Sequence, residues 1–451
     1  MPSLTPADLR AALPAGLGSL AVAFSGGRDS HVLLHLAVAA GLRVRALHVH
    51  HGLQAQADAW ARHCETVAGD LGVPLTVLPV RVVPAGEGLE AAARAARYRA
   101  LARALAVGEH LATAHHADDQ AETLLLRVLR GTGPDGLAGI QPQRALGAGT
   151  LLRPLLAVPR SAIAAYADAR ALAWIEDPAN RDPRHDRSWL RHRIMPELAG
   201  RWSDVPQRLA RLARESAEAR ALRDGLLDEV LRGMAGEPPG PLPVAALAAR
   251  PEREVRALVR RWLARDGRRP PPAARLADGL AALLGAAADR APELVWADGR
   301  VGRHAGELYR LPLDWPVPTP RPVAPPPATS VWDGVGGIRW RSVTGAGLEP
   351  ARLPGELLAR PPAAGDRFQP PGRKRRALKH WLREAGVPLW WRARLPVILT
   401  AEGELIAVAG LAVAEGWQAG PGSAGWWPDW QPQPPQPAGD AAVLRRSPGR
   451  P

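Results

Sequence analysis

The stretch Leu20-Ala21-Val22-Ala23-Phe24-Ser25-Gly26-Gly27-Arg28-Asp29-Ser30 decides the fold of this chain. Five apolar residues suit a strand buried on both faces. The chain then breaks into two glycines and enters a helical pattern from His31 to Ala40. Gly26 and Gly27 carry no Cβ, so the backbone can turn tightly and lie close to a ligand. The first N–H groups of the helix lack internal partners and point at an anion. Asp29 adds a carboxylate that can hold a cation beside that anion. The stretch therefore reads as a phosphate cradle. It matches neither the Gly-x-x-x-x-Gly-Lys-Ser/Thr loop nor Gly-x-Gly-x-x-Gly.

Outward from that loop, residues 18–130 alternate short apolar runs with helical patterns. Strands are predicted at 19–24, 43–49, 73–80 and 110–114, and helices at 30–40, 54–70, 89–106 and 118–130. This alternation predicts an α/β fold, a Rossmann-like parallel sheet with helices on both faces. Ligands of such sheets bind at the carboxyl ends of the strands. Three polar clusters fall there: Ser25–Ser30, His50-His51-Gly52 and His115-His116.

The chain has 451 residues, which predicts two or three domains. Its formal net charge of +14 favours a polyanionic partner. Almost all of the positive charge is arginine, since Lys374 and Lys379 are the only lysines, and a coding bias would give the same composition. A single cysteine, Cys64, excludes an internal disulfide, a Cys-only zinc site and a Cys₄ iron–sulfur cluster. The first residues show no secretory pattern, and no run reaches the ~18 apolar residues that span a bilayer. A cytoplasmic enzyme with no membrane partner is expected.

Composition divides the rest. Residues 1–200 hold the sheet domain, and 201–311 read as a helical middle domain. There Arg208, Arg211, Arg214, Arg220 and Arg223 lie near one helix face, as a solvated surface or as an RNA contact. Residues 312–330 are proline-dense and read as a semi-rigid linker. A small α+β unit follows at 331–418, and 419–451 reads as a tail that does not fold.

Two further stretches carry candidate chemistry. In His115-His116-Ala117-Asp118-Asp119-Gln120-Ala121-Glu122-Thr123, Asp118 or Asp119 can cap the helix that follows. Asp119 and Glu122, three apart, share a helix face. Two such close carboxylates repel unless a cation, Mg²⁺ or an ammonium, lies between them. An acidic helix start that merely opposes the dipole is the plainer reading. In Glu90 to Tyr98, Glu90, Arg94 and Arg97 repeat on one helix side, either as an ion pair or with an arginine turned to a phosphate.

Ser25-Gly26-Gly27-x-Asp29-Ser30 resembles the pyrophosphate loop of the ATP-pyrophosphatase enzymes. With Val49-His50-His51-Gly52-Leu53, Glu90–Tyr98 and Ala114–Thr123 it follows the order found in the tRNA(Ile)-lysidine synthase family. Leu129–Ile140, Arg153-Pro154-Leu155-Leu156, Glu176-Asp177-Pro178-Ala179-Asn180 and Leu190–Leu198 resemble that family's later signatures. Ser188, after Arg187, stands where the family usually has asparagine. Farther on, Gly365–Gly372, Leu378-Lys379-His380-Trp381-Leu382, Val387-Pro388, Trp391-Arg392 and Leu395-Pro396 also resemble it. Residues 375–386 read as an amphipathic helix. Leu378, Trp381, Leu382 and Ala385 form its apolar stripe, and Arg376, Lys379, His380 and Arg383 a basic one. Trp390 and Trp391 beside it are either base-stacking or core residues.

The resemblance implies an enzyme that uses ATP to adenylate the C2 oxygen of the wobble cytidine in an isoleucine tRNA with a CAU anticodon. Free lysine then displaces AMP. It implies ATP and Mg²⁺ at Ser25, Gly26, Gly27, Arg28, Asp29, Ser30 and His50, with the ion on Asp29. Lysine is expected at Arg94, Arg97, Asp119 and Glu122, and the chemistry at Asp29, Asp119, Glu122 and Arg97. The tRNA is expected at Arg191, Arg373, Lys374, Arg376, Lys379 and Arg383, and a homodimer is possible. The rival expectations are a thiolating tRNA enzyme, an amide-forming ATP pyrophosphatase and a catalytically silent RNA-binding protein. The first of these needs cysteines the chain lacks.

Overall fold

Parallel strand pairing around Leu20-Ala21-Val22 organises the first of two units, 1–223 and 224–451. The computed structural model describes residues 4–432 except 53–55, 83–88, 177–183, 185, 237–239, 266, 288–289 and 333–334. The side chain of Glu90, Leu53, most of the Glu176–Asn180 signature and the tail beyond 432 lie outside the described residues.

After helix α1 (Pro6–Ala11) come β1 (Ser19–Ala23), α2 (Arg28–Ala39), β2 (Arg43–His50), α3 (Ala57–Asp70), β3 (Leu75–Pro79), α4 (Leu89–Ala104), β4 (His110–Ala112) and α5 (Ala117–Leu129). The predicted alternation of strands and helices is thus present. After the short helix α6 (Pro134–Leu137), the hairpin β5 (Gln143–Leu146) and β6 (Gly149–Leu152) completes a six-stranded sheet. The strand order is β3-β2-β1-β4-β6-β5, parallel except for β5. Burial explains the order: Ala21 and Val22 of β1 and Leu111 and Ala112 of β4 are wholly buried in the sheet centre. Val32, Leu33, Leu34, Leu36 and Ala37 of α2 are buried as well.

From β1 the chain crosses to β2 on one side, while β4 lies on the other. The crevice between β1 and β4 is therefore the topological switch point, where open sheets of this kind bind ligands. Helix α7 (Arg160–Ala169), α8 (Asp186–Trp189), a π-helical turn at Leu190–Ile194 and α9 (Met195–Arg201) follow. The 31-residue α10 (Val205–Ala235) carries the chain into the second unit.

That unit holds the expected helices, Glu252–Ala264 and Ala273–Gly285 among them, around Leu258, Trp262 and Leu280. It also holds a four-stranded sheet of Leu242–Pro243, Glu307–Leu311, Gly299–His304 and Glu293–Trp296, which the helical spacing did not signal. A five-stranded and a three-stranded antiparallel sheet follow.

Two expectations are corrected here. The proline-dense stretch 312–330, expected as a semi-rigid linker, is instead built into the packed part of the second unit. Arg321–Val323 pairs with Leu357–Arg360, and Trp315 packs edge-on against Trp391 at 4.6 Å. Prolines are tolerated there because Arg321–Val323 is an edge strand. Nor is the tail wholly unfolded, since Ala424–Pro432 forms a nine-residue strand on Gly336–Thr344 and buries Trp427 and Trp430.

Candidate active site

Gly26 sits at φ +81°, a conformation that favours glycine, and a Cβ there would meet Cys64 Sγ at 3.0 Å and Ile175 Cδ1 at 3.2 Å. The loop is closed by its own hydroxyls. Ser25 N–H donates to Ser30 Oγ (3.2 Å), Ser30 Oγ donates to Gly27 O (2.9 Å), and the two hydroxyl oxygens are 3.1 Å apart. Gly27 is the N-cap of α2 and gives no side-chain cap. No side-chain cap thus takes up the first amides of α2, the arrangement that an anion-binding helix start requires.

Beside the loop, the end of β4 delivers His116, which caps α5. Its Nδ1 accepts from Asp119 N–H (3.3 Å), and Asp119 Oδ2 accepts from His116 N–H (3.0 Å). His116 Nε2 lies 3.4 Å from Asp29 Oδ2 and 3.5 Å from Asp119 Oδ2. One buried imidazole therefore ties the phosphate loop to the acidic helix start. Burial disfavours its charge, but the Asp29 hydrogen bond and the carboxylates of Asp119, Asp29 and Asp118 outweigh this and raise its pKa. Burial likewise opposes ionisation of Asp29, and His116, Arg28 and Arg160 outweigh it, so Asp29 titrates below the usual range. Arg28 Nε sits 3.3 Å from Asp29.

Asp119 and Glu122 share a face, as their spacing predicts, and cations do lie between them. Those cations are two guanidiniums. Arg187 binds Glu122 (2.8 Å) and Asp119 (2.7 Å), and Arg191 binds Glu122 (2.6 and 2.9 Å) and Asp119 (3.1 Å). Burial works against the Asp119 charge, while His116, Arg187, His115 and Arg191 hold its pKa low. This corrects the placement of Arg191, which was expected on the tRNA and whose side chain is instead engaged with the acids and four-fifths buried. Sequence reasoning missed Arg187 as a site residue. The signal was its four-residue spacing from Arg191, which matches two carboxylates three apart.

The other predicted residues fall around this centre. His50, at the end of β2, pairs with Asp58 through Nε2 at 3.0 Å. Arg94 and Arg97 lie 5.2 and 5.5 Å from the centre of the Tyr98 ring, with Arg144 4.9 Å from it. Burial lowers the Arg97 pKa. His115 donates to or accepts from Thr113 Oγ1 at 2.9 Å and is held neutral, chiefly by burial. Cys64 is fully buried against His48 (3.4 Å), and burial, then Glu65, pushes its thiol up to about 12. Such a thiol is inert.

Among the described residues no group of three or more His, Cys, Asp or Glu is arranged to hold a metal ion.

The arginines expected along α10 face acids: Arg208 meets Asp204 (2.8 Å), Arg211 Glu215 (4.0 Å), Arg214 Glu218 (3.8 Å) and Arg223 Asp135 (2.7 Å). In the second unit the predicted amphipathic helix is shorter, Leu378–Glu384, because Arg376 and Ala377 form a strand with Arg367-Phe368. Leu378, Trp381 and Leu382 are buried, while Lys379, His380 and Arg383 are exposed. Arg376 pairs with Glu384, and Arg373 approaches it at 4.0 Å. Lys374 is exposed. Trp390 and Trp391 are 2% and 0% exposed, so they belong to the core and cannot stack on bases.

A glycine phosphate loop and an acidic helix start meeting at the β1/β4 switch point define a nucleotide-binding domain of the PP-loop class, and a PP-loop domain model matches residues 8–198. Models described as the TilS substrate binding domain and the TilS substrate C-terminal domain match 242–309 and 357–430. The chain is 48% identical over 419 residues to a tRNA(Ile)-lysidine synthase of Alkalilimnicola ehrlichii, covering 89% of this chain and 91% of the relative. It is 43% identical to that of Methylococcus capsulatus (86% and 90%) and 40% identical to that of Pseudomonas aeruginosa (92% and 94%). The chain belongs to the tRNA(Ile)-lysidine synthase family.

Proposed function

We infer that the protein is an ATP-dependent ligase that forms lysidine at the wobble cytidine of the CAU-anticodon isoleucine tRNA. The observation that carries the chemistry is the 3.4 and 3.5 Å contact of His116 with Asp29 and Asp119, which joins the phosphate loop to the acid pair at one strand edge. Family membership supplies the substrate.

In this reading the α2 amides, Ser25 and Ser30 hold the β and γ phosphates. Asp29 holds Mg²⁺, which neutralises charge on the phosphates when bound. The cytidine O2 attacks the α phosphorus and pyrophosphate leaves, giving a C2–O–AMP bond. The lysine amine attacks C2, the C2–O bond breaks with departure of AMP, and the amine loses a proton. Arg97 and Arg94 face the anionic groups. Asp119 and Glu122 receive a cationic group of lysine, and Arg187 and Arg191 hold both carboxylates in place beforehand. Lys374, Lys379 and Arg383, with Arg373 and Arg376 turned partly to Glu384, supply phosphate contacts in the C-terminal region.

The buried, inert Cys64 supports this reading over thiolation. No helix among the described residues is long and apolar enough to cross a membrane, and a cytoplasmic setting completes the reading. A homodimer is tested by sedimentation. Incubation with ATP, labelled lysine and bulk tRNA, followed by nucleoside analysis, tests the function. Label in a modified cytidine is expected, and sulfur dependence or the absence of a labelled nucleoside overturns it.

A further inference from the structure

A cavity of about 530 Å³ lies between the end of β3 and one side of α4, lined by Leu78, Val80, Arg81, Ala100, Arg99 and Arg103 among others. None of its lining residues belongs to the acid pair or the phosphate loop. Arg97 and Arg99 are two positions apart, roughly 200° around the helix, so Arg99 and Arg103 face away from the side that carries Arg97. Leu101 in α4 and Leu105 just after it lie in the core beneath the sheet, and β3 is an edge strand. The cavity therefore opens at the edge of the sheet.

Among the described lining residues the charge is one-sided. Arg81, Arg99 and Arg103 are exposed, and none forms an ion pair or side-chain hydrogen bond among the described residues. The α10 arginines show the contrast, for Arg208, Arg211, Arg214 and Arg223 each face a carboxylate. Arg99 and Arg103, four apart, stand on one helix face, where two forked guanidiniums can share one phosphate. Leu78, Val80 and Ala100 give the cavity an apolar floor. The volume lies within the ~300–1,000 Å³ of small-molecule sites. Three cations above an apolar floor match the chemistry of a nucleoside phosphate: anion on the rim, ring or sugar on the floor.

We propose that this cavity is an accessory RNA subsite that seats one nucleotide of the tRNA substrate, with its phosphodiester on Arg99 and Arg103 and Arg81 closing the rim. The proposal rests on the protein acting on tRNA. It assigns RNA contact to the sheet domain at a place apart from the reacting cytidine.

The test uses the full chain carrying Arg99→Gln and Arg103→Gln together. Binding of a CAU-anticodon tRNA transcript is measured by fluorescence anisotropy across a potassium chloride series. The expected result is a Kd raised on the order of three- to tenfold and a plot of log K against log salt shallower by about one to two. The KM for ATP and the kcat at saturating tRNA stay at wild-type values. An Arg99→Lys, Arg103→Lys variant, which keeps the charge, retains most of the slope and controls for folding. Unchanged tRNA affinity and slope in the Gln variant overturn the proposal. So does loss of AMP binding by that variant, read by calorimetry, with tRNA binding intact, which assigns the cavity to a free nucleotide. A wild-type protein that binds tRNA but makes no lysidine sinks the function and leaves the subsite standing.

Discussion

The start of α5 and the helix Leu378–Glu384 both present charged residues beside apolar ones, and the structure treats them in opposite ways. At α5 the charges go inside. Asp119 and Glu122 are 9% and 1% exposed, and among the described residues the side-chain hydrogen bonds they accept come from Arg187, Arg191 and the His116 amide. At Leu378–Glu384 the apolar residues Leu378, Trp381 and Leu382 go inside and the charges stay in water. The first arrangement fixes geometry at the cost of desolvating four ions, which only close pairing offsets. The second leaves its cations exposed and screened by salt, which suits a long polyanion and not a single reacting atom. If the first set serves chemistry and the second RNA, as proposed, burial is what tells them apart.

The sharpest way to break this comparison is at Asp29. Asp29→Ala removes the carboxylate on His116 and the expected seat of Mg²⁺. Lysidine formation should fall by at least ~10²–10³-fold, read by label transfer into tRNA, with tRNA affinity unchanged. Activity near wild type would show that the buried constellation is structural only.

Glu122→Ala asks whether burial is the distinguishing property. It leaves Arg187 and Arg191 half-paired inside the protein, and the loss should be about 3 kcal/mol or more in urea unfolding of the folded chain. Glu122→Gln, which keeps most donors satisfied, should cost less in stability while still raising the KM for lysine. A surface-sized effect of under ~1 kcal/mol for Glu122→Ala would make this site no different from the exposed helix.

Acid separates the two regions next. Burial holds His31, His48 and His115 below their ordinary 6.5. Below that value the unfolded chain takes up protons that the folded chain refuses, so their contribution is complete above pH 6.5 and declines as pH falls. His116 has the opposite sign, since its raised pKa adds stability at low pH that is lost as pH rises through the folded value. Asp29 and Asp119, lowered from 3.8, keep their contribution until pH drops below that value. Unfolding of the sheet domain should therefore grow easier from pH 6.5 toward 4, and His115→Gln should flatten the slope. A wild-type profile flat over that range would refute the assignment of neutral buried histidines.

How far the sequence reads follows the same division. The strand–glycine–helix run, the four parallel strands and the shared face of Asp119 and Glu122 are local patterns, legible because each is set by neighbours within one or two turns. Arg187 and Arg191 lie 65 to 72 residues from their acids, so only the fold could pair them. The hairpin β5–β6 is short and half exposed and gives no alternation to read. Trp390 and Trp391 look the same in sequence whether they stack on bases or fill a core, and the packing of Tyr309 and Trp315 on them decides the matter. Prolines 312–330 were legible as a stiff segment, but not as one whose edge strand is taken up by a sheet.

The smallest effect is expected at Lys379. Lys379 is exposed on Leu378–Glu384, and no acid pairs with it among the described residues. Lys379→Ala removes one mobile cation and no packing, so unfolding should shift by less than ~0.5 kcal/mol. If its role is a phosphate contact, tRNA binding weakens a few-fold and the salt slope falls by about one. Because the contribution is screened, wild type and variant should converge at high salt. The loss at Glu122 should persist there, since a buried pair is screened far less. Convergence for Lys379 with persistence for Glu122 is the outcome that separates binding charge from site charge; equal salt dependence at both positions would erase the distinction.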